Sequence, residues 1–203
     1  MFDAKLRPLI DPTLNRLGAW LARIGVTANL VTALGLVIGL GGAVAIAFSQ
    51  YTLGLALIVL NRLADGLDGA VARANGPSDL GGYLDIVADF AFYVSVPLGF
   101  GIADPAHALP ALVLVAAFVL TGTSFLAYAV IAAKRGEETA AHGAKSFFYS
   151  TGLAEGTETI LFFIAMTLFP EWFAVLAYIF ATFCVLTVVQ RSLLARTQFT
   201  GPA

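Results

Sequence analysis

Four aspartates in the stretch ADGLDGAVARANGPSDLGGYLDIVADF, residues 64 to 90, have a spacing that suits joint chemistry. Asp65 and Asp68 are three residues apart and Asp85 and Asp89 are four apart, so each pair lies on one face if its segment is helical. Clusters made only of carboxylates suit hard divalent cations, which prefer oxygen ligands. The spacing therefore predicts a site for Mg²⁺ or Mn²⁺.

Other metal chemistry lacks the residues that it needs. The chain has one cysteine, Cys184, and two histidines, His107 and His142. A single cysteine excludes a disulfide framework and a thiolate metal site. We interpret Cys184 as a small apolar side chain within a helix and both histidines as loop residues. Zinc and copper sites are therefore not expected.

The four acids lie in a chain whose composition is typical of a membrane protein. Of its 203 residues, 59% are hydrophobic and only 12% are charged. An acid within a membrane span costs about 2.5 to 3.5 kcal/mol, so four unpaired acids cost roughly 10 kcal/mol. Two structural salt bridges with Arg62 and Arg73 are an alternative, but they leave two acids unpaired. Charges inside spans indicate a functional site by default.

Six apolar runs are long enough to cross about 30 Å of hydrocarbon at about 20 residues each. They lie near residues 26 to 49, 51 to 73, 80 to 103, 108 to 133, 147 to 169 and 171 to 192. We predict an all-α integral membrane protein with six transmembrane helices within residues 26 to 196, in a single domain that covers residues 1 to 203. The net charge is −2 and no basic stripe occurs, so nucleic-acid binding is not expected.

Residues 1 to 25 predict an amphipathic helix on the membrane surface. Leu14, Leu17, Leu21 and Ile24 recur at three- and four-residue spacing. A frayed terminus is the alternative. Charged residues precede the first long apolar run, which argues against a cleavable signal peptide.

The basic residues predict the orientation of the bundle. Of the 11 lysines and arginines, all except Arg62 fall at the ends of spans on one side of the membrane. By the positive-inside rule, both termini face the cytoplasm. The four acids then lie in the cytoplasmic halves of the second and third spans.

The second and third spans are joined by the short loop RANGPSDL, so we expect them to pack antiparallel with all four acids at similar depth. These helices contain glycines, which have no side chain and permit close approach of either a ligand or another helix. They are Gly66, Gly69, Gly81 and Gly82. Metal ions bound to acids keep coordination positions open for substrate phosphates. The residues thus indicate transfer of a phosphorus-containing group at the cytoplasmic face.

The same stretch resembles a known family. Eight residues over 25 positions resemble the signature D-x2-D-G-x2-A-R-x8-G-x3-D-x3-D of the CDP-alcohol phosphotransferases, also called CDP-alcohol phosphatidyltransferases, with one departure: two residues separate Gly82 from Asp85 where the signature has three. The matching residues are Asp65, Asp68, Gly69, Ala72, Arg73, Gly82, Asp85 and Asp89. The segment GVTANLVTALGL is also similar to the family's first span, with Ala28 where the family commonly has proline.

The resemblance implies roles for the acids. Asp65, Asp68, Asp85 and Asp89 would hold two ions of Mg²⁺ or Mn²⁺, which grip the diphosphate of a CDP-linked donor. Asp89 would also be the general base that takes the proton of an alcohol as the alcohol attacks phosphorus and expels CMP. The residues implied along the cytidine nucleotide are Asp68, Gly69, Ala72, Arg73, Thr27 and Asn29.

The acceptor alcohol is ambiguous. Glu155 and Glu158 are three residues apart, about two turns into the fifth span, at a depth similar to that of Asp89. They either form hydrogen bonds within the protein or line an acceptor pocket with Gly82 and Lys145. Acidic residues there would favour a hydroxyl-rich or amine-bearing alcohol, whereas the basic residues at the cytoplasmic mouth would favour glycerol phosphate or inositol phosphate.

The predicted function is phospholipid synthesis in the bacterial cytoplasmic membrane, with the active site facing the cytoplasm. A phosphatidyl group would pass from CDP-diacylglycerol to a small polar alcohol. The alternative within the family is transfer from a CDP-choline or CDP-ethanolamine type of donor to diacylglycerol. A divalent-cation transporter and an inactive membrane scaffold are alternatives from other classes. The resemblance also implies a homodimer.

Overall fold

The computed structural model describes residues 3–136 and 152–200, and it is helical almost throughout these ranges. Seven α-helices occur there, and short 3₁₀ turns at Pro105–His107 and Pro170–Trp172 lead into α5 and α7. The helices are α1 (Asp3–Arg23), α2 (Ala28–Ala47), α3 (Tyr51–Asn75), α4 (Asp79–Ala103), α5 (Ala108–Lys134), α6 (Gly156–Leu168) and α7 (Phe173–Phe199). No strand is found in the described ranges, which confirms the all-α prediction for them.

Four helical segments of the described chain are long and apolar enough to cross a membrane. They are Ala28–Ala47, Asp79–Ala103, Pro105–Lys134 and Pro170–Phe199. α3 has 25 residues but carries four charged side chains, and α6 has only 13 residues. Six spans therefore stay a prediction, whereas four are found by length and composition.

The start of α6 differs from the predicted fifth span. The sequence predicts a span from residue 147, but the helix begins at Gly156 and residues 152 to 155 are not helical. The hydroxyl of Thr187 on α7 accepts hydrogen bonds from the backbone nitrogens of Leu153 and Ala154, at 3.0 and 2.9 Å. These bonds give the two backbone N–H groups hydrogen-bond partners that do not require a helix. They therefore stabilise the non-helical residues that precede α6.

Local signals explain where α2, α3 and α4 begin and end. The hydroxyl of Thr27 accepts from the Leu30 nitrogen at 3.3 Å and caps α2, and the Ser78 hydroxyl accepts from the Gly81 nitrogen at 3.1 Å and caps α4. Gly76 follows α3 with φ of 92°, a backbone conformation that favours glycine. The chain therefore reverses direction between α3 and α4.

The packing of α3 and α4 differs from a simple hairpin. α2 packs against both helices, whereas the backbones of α3 and α4 approach each other at few points. α2 can come this close because Gly35 and Gly39 face the side chain of Asn61, and a Cβ on Gly39 would lie 2.7 Å from the Phe92 ring. α3 and α4 contact each other through side chains, such as Arg62 with Asp89 and with Phe92, and the small residues of α2 let it pack against both helices. The antiparallel arrangement of α3 and α4 stays a prediction.

The rest of the bundle packs through aromatic rings. Phe92 and Phe100 of α4, Phe163 of α6, and Phe173 and Phe180 of α7 are fully buried and belong to one apolar cluster. Large apolar side chains also cover the outside. Val37, Phe48, Ile102 and Val130 are examples that are more than half exposed. An apolar exterior is expected of a protein that faces lipid.

α1 packs along the other side of α3. A Cβ on Gly18 would lie 2.6 Å from the Ala70 side chain, and a Cβ on Gly66 would lie 2.7 Å from Leu14. Gly66 thus faces α1. Leu17 and Trp20 stay about half exposed on α1.

Candidate metal-dependent active site

Three aspartates from two helices converge between α3 and α4. Asp65 and Asp68 of α3 and Asp85 of α4 each offer a carboxylate oxygen, and these oxygens all lie within 4.8 Å of one another. The backbones of α3 and α4 approach each other at few points, so the carboxylates meet between the two helices, where an ion can bind. A set of close carboxylate oxygens has the donor chemistry of a Mg²⁺ or Mn²⁺ site.

α2 contributes a hydroxyl to this group. Thr32 Oγ1 donates to Asp68 Oδ2 at 2.7 Å, and it also lies 3.1 Å from the Ala28 carbonyl oxygen one turn earlier. Asp68 is 6% exposed, so its orientation is fixed by packing and by this bond. Hydrogen bonds from neighbouring side chains commonly orient metal-binding carboxylates.

Asp89 lies beside the three acids but is paired with an arginine. Arg62 Nη1 is 3.0 Å from Asp89 Oδ1 and 3.8 Å from Asp65 Oδ2. The guanidinium therefore lies between Asp89 on α4 and the acid pair on α3. This pairing lowers the cost of burying Asp89 in an apolar helix.

A small open cleft connects these groups. It is lined by Thr32, Gly35, Leu36, Asn61, Arg62, Asp65, Asp68, Asp85, Ala88 and Asp89. A second, mostly apolar cleft adjoins it and shares Thr32, Leu36 and Ala88. Polar groups thus meet an apolar surface at one place, which suits a ligand with a charged head and an apolar body.

The residues that the family resemblance assigns to the nucleotide lie on α3 and at the start of α2. Gly69 is on α3 near Arg73, whose Nη1 would lie 3.4 Å from a Cβ added there. Arg73 donates through Nε and Nη2 to Asn15 Oδ1 of α1, at 3.1 and 2.8 Å. Ala72, on the same helix, is half-buried.

The two residues implied at the start of α2 also differ in their surroundings. Thr27 uses its hydroxyl to cap α2. Asn29 lines the apolar cleft, with its Oδ1 3.3 Å from the position of a Cβ on Gly81. Asn29 is thus the closer of the two to the clefts.

The residues assigned to an acceptor pocket are only partly described. Lys145 lies outside the described residues, and Gly82 lies in the first turns of α4. Glu155 is the residue before α6 and accepts from the Gly152 nitrogen at 3.0 Å, and Glu158 lies in the first turn. The expectation that both acids lie two turns into a span was wrong, because α6 begins later than its apolar run suggests.

Arg191 of α7 is a buried cation near this end of α6. Its Nη1 donates to the Thr121 carbonyl oxygen at 3.0 Å and lies 2.6 Å from Ser124 Oγ, both on α5. The sequence assigns Arg191 to the cytoplasmic end of the last span, whereas here it bridges two helices. α6 itself packs against both α3 and α7.

The sequence interpretation missed Thr32 and Asn61, and it gave Arg62 no place in the site. Asn61 and Arg62 are polar residues in the middle of the apolar run LGLALIVLNRLADG, which was an available signal. Thr32 gave no such signal, since isolated threonines are common in membrane helices. Its role depends on the packing of α2 against α3.

Comparisons with known proteins agree with the geometry. The family model described as CDP-alcohol phosphatidyltransferase matches residues 25–191. The chain is 45% identical over 192 residues to "Inner membrane protein YnjF" of Escherichia coli strain K12, covering 94% of this chain and 93% of that protein. It is 34% identical over 97 residues to the archaetidylinositol phosphate synthase of Pyrococcus horikoshii, covering 47% of this chain and 52% of that protein.

Solved structures of the Mycobacterium tuberculosis phosphatidylinositol phosphate synthase PgsA1 have a similar fold. The crystal structure with CDP-DAG bound has a TM-score of 0.67 and 25% identity, and the match covers 94% of this chain and 95% of that one. The crystal structure in complex with manganese and citrate has a TM-score of 0.70 and 24% identity, over 94% of this chain and 90% of that one. The chain therefore belongs to the CDP-alcohol phosphatidyltransferase family, whose members transfer phosphate-containing groups in phospholipid biosynthesis, and it is a transferase of this kind.

Proposed function

We propose that the protein transfers a phosphatidyl group from CDP-diacylglycerol to the hydroxyl of a small polar alcohol and releases CMP. The observation that carries this proposal is the junction of the two clefts. Three converging carboxylates and Asp89 line one cleft, and an apolar surface that shares Thr32, Leu36 and Ala88 continues from it. A donor with a charged diphosphate and two acyl chains matches both parts.

The acid cluster supports a requirement for Mg²⁺ or Mn²⁺. Asp65, Asp68 and Asp85 are the residues that would hold the first ion, with Thr32 orienting Asp68. Of the two ions expected from the sequence, the second would take Asp89 as a ligand and would arrive with the donor, because the diphosphate adds the negative charge that a second cation needs. Bound metal ions supply stabilisation of the charge that develops on the diphosphate oxygens.

The signature residues support a cytidine site at the end of α3. Gly69 and Ala72 present little side-chain bulk there, and Arg73 offers a guanidinium held by Asn15. We assign these residues to the nucleotide together with Asp68 and Asn29. Thr27 contributes through the α2 cap, since its hydroxyl already accepts a backbone hydrogen bond.

Asp89 is the group we assign to proton transfer. The alcohol oxygen attacks the β-phosphorus of the donor, which carries the diacylglycerol, and the bond from that phosphorus to the bridging oxygen breaks. CMP leaves with the electron pair, and the alcohol proton passes to the Asp89 carboxylate. Asp89 suits this role by position, because it lines the same cleft as the three other acids.

We assign Glu155 and Glu158 to the acceptor side, together with Gly82 and Lys145. α6 packs against α3, the helix that carries Asp65 and Asp68. The carboxylate of Glu155 also accepts a backbone hydrogen bond, which fixes its place. Carboxylates there favour an unphosphorylated alcohol over a phosphorylated one.

The arrangement in the membrane completes the proposal. α3 and α6 are the two spans that join the four longer ones in a six-helix domain over residues 26 to 196, and residues 1 to 25 lie at the surface. Both termini and the acid cleft face the cytoplasm of a bacterial cell. The protein functions as a homodimer in the cytoplasmic membrane.

The test is CMP release by purified protein with Mn²⁺ or Mg²⁺ and CDP-diacylglycerol. The acceptor panel contains inositol, serine, choline, ethanolamine, glycerol phosphate and inositol phosphate, and Asp89→Asn is the control. We expect release with one acceptor and none in the control.

Other outcomes would redirect or refute the proposal. CMP release only with CDP-choline or CDP-ethanolamine and diacylglycerol would show that the donor is a CDP-linked small alcohol and the acceptor is diacylglycerol. Flux of Mn²⁺ into proteoliposomes without CMP release from any donor would refute the transferase assignment in favour of a transporter.

A further inference from the structure

Arg62 is a cation in the middle of α3. The positive-inside rule, which accounts for basic residues at the ends of spans, does not explain it. The other lysines and arginines fall at predicted span ends, whereas Arg62 follows the apolar run LGLALIVLN. Its side chain is 17% exposed. A buried arginine is costly in a membrane helix and indicates a function.

The guanidinium of Arg62 is held on three sides. Nε donates to Asn61 Oδ1 at 2.8 Å, and Asn61 Nδ2 in turn donates to the Gly35 carbonyl oxygen of α2 at 2.8 Å. The Cζ atom lies 4.6 Å from the centroid of the Phe92 ring and 5.6 Å from that of Tyr93, both on α4. An arginine fixed by a hydrogen bond and by aromatic faces has a defined direction.

The held guanidinium points at Asp89. Nη1 donates to Asp89 Oδ1 at 3.0 Å and is 3.8 Å from Asp65 Oδ2. The three carboxylates that converge within 4.8 Å are Asp65, Asp68 and Asp85, and Asp89 is not among them. The cation thus lies between Asp89 and Asp65, where a second divalent ion shared by these two acids would compete with it.

We propose that Arg62 is a positioning residue that holds the Asp89 carboxylate apart from the other three acids and limits the donor-free site to one divalent ion. This inference rests on the proposed function. Asp89 is kept oriented by Arg62, and it becomes a ligand of a second ion only in competition with the guanidinium. The positive charge near Asp65 also weakens binding of the first ion.

A purely structural role is the competing explanation. An arginine that only neutralises acids for membrane insertion would affect protein yield and thermal stability, but its removal would not add a metal-binding site. The two explanations therefore differ in the number of ions bound, which is measured without any turnover.

The experiment titrates Mn²⁺ into purified, detergent-solubilised protein without nucleotide and follows free Mn²⁺ by its EPR signal. We expect one ion per chain in the wild type and two in Arg62→Gln, with the first ion bound about tenfold more tightly because a nearby unit charge is gone. The second ion should disappear in the double variant Arg62→Gln, Asp89→Asn. Arg62→Lys, which keeps the charge, should bind one ion.

The matched control is Arg191→Gln, which removes a buried arginine that also lies near an aromatic ring, with its Cζ 5.6 Å from the Phe125 centroid. It should leave the number of bound Mn²⁺ ions unchanged. Two ions in the wild type or in Arg62→Lys, or one weakly bound ion in Arg62→Gln, would overturn the proposal. If Arg62→Gln does not fold, the wild type and Arg62→Lys still provide this test.

CMP release supplies the second readout. We expect Arg62→Gln to lower kcat while also lowering the Mn²⁺ concentration needed for half-maximal rate, and Arg62→Lys to restore part of kcat. A fall in kcat with no change in the Mn²⁺ requirement would refute the role of Arg62 at the metal site. If wild-type protein releases no CMP from any donor, the proposed function fails, and the ion count still decides the role of Arg62.

Discussion

The hydrogen bond from Thr32 to Asp68 gives the sharpest quantitative prediction. Thr32→Val replaces the hydroxyl by a methyl group of similar size, so it opens no cavity between α2 and α3. The change removes the 2.7 Å bond to Asp68 Oδ2. The Ala28 carbonyl oxygen, which the hydroxyl also contacts, can still accept the normal helical bond one turn along.

The expected size follows from the chemistry of this bond. A hydrogen bond to a charged group contributes about 1.5 to 3 kcal/mol, and about 1.4 kcal/mol corresponds to a tenfold change. Loss of groups that orient metal ligands likewise costs about 10- to 100-fold in metal affinity or activity. We therefore expect the Mn²⁺ concentration for half-maximal CMP release to rise by about 10- to 100-fold in Thr32→Val.

The assay measures CMP release against Mn²⁺ concentration at saturating CDP-diacylglycerol, with Thr32→Ser as the matched control because it keeps the hydroxyl. Thr32→Ser should stay near the wild type. A Thr32→Val enzyme whose Mn²⁺ requirement is within about twofold of the wild type would show that this bond does not orient Asp68 for metal, and the reasoning from geometry would fail.

Three further predictions concern the packing, the nucleotide side and the metal. Gly99→Ala should lower the apparent Tm and cost about 1 to 3 kcal/mol, because its Cβ would lie 2.5 Å from the Ala43 carbonyl oxygen. Gly41→Ala, whose Cβ would lie 3.8 Å from the Leu57 side chain, is the control, and equal melting of the two variants would contradict the packing argument. Asn15→Leu should raise KM for the CDP-linked donor several-fold, because Arg73 loses the acceptor that holds it. Asn15→Asp keeps an acceptor oxygen and is the control. An unchanged KM in Asn15→Leu would show that α1 does not contribute to nucleotide binding. Chelation of divalent ions should abolish CMP release and Mn²⁺ should restore it, whereas activity that persists in excess chelator would exclude metal dependence.

The sequence predicted the elements of this bundle well wherever local signals decide them. The first apolar run, residues 26 to 49, became α2 at Ala28–Ala47, and the second, residues 51 to 73, became α3 at Tyr51–Asn75. Length and apolar content decide the middle of such helices. Thr27, Gly76 and Ser78 decide their ends through caps and a positive φ, and these effects act over a few residues.

The start of α6 could not be read from its own residues. The apolar run favours a helix from residue 147, but the described chain turns helical at Gly156. The partner that holds the preceding backbone is Thr187, more than thirty residues later on α7. An interaction between distant segments therefore decided where Glu155 and Glu158 lie relative to the start of α6.

The sequence by itself determined the family and the all-helical architecture of the described chain, and it singled out the four aspartates as the proposed chemical centre. It could do so because helical spacing alone puts Asp65 with Asp68 and Asp85 with Asp89, and because an acid in an apolar run is too costly to be there without a use.

Only the tertiary structure decided which three of the four aspartates lie together and which one pairs with Arg62. The small residues of α2 let it pack against both α3 and α4, which brings Thr32 to Asp68 and holds Asn61, the partner of Arg62, while Arg62 pairs with Asp89. Three carboxylates thereby face one another and the fourth faces a cation. No pattern along the chain specifies this division, because it depends on which faces of three helices meet.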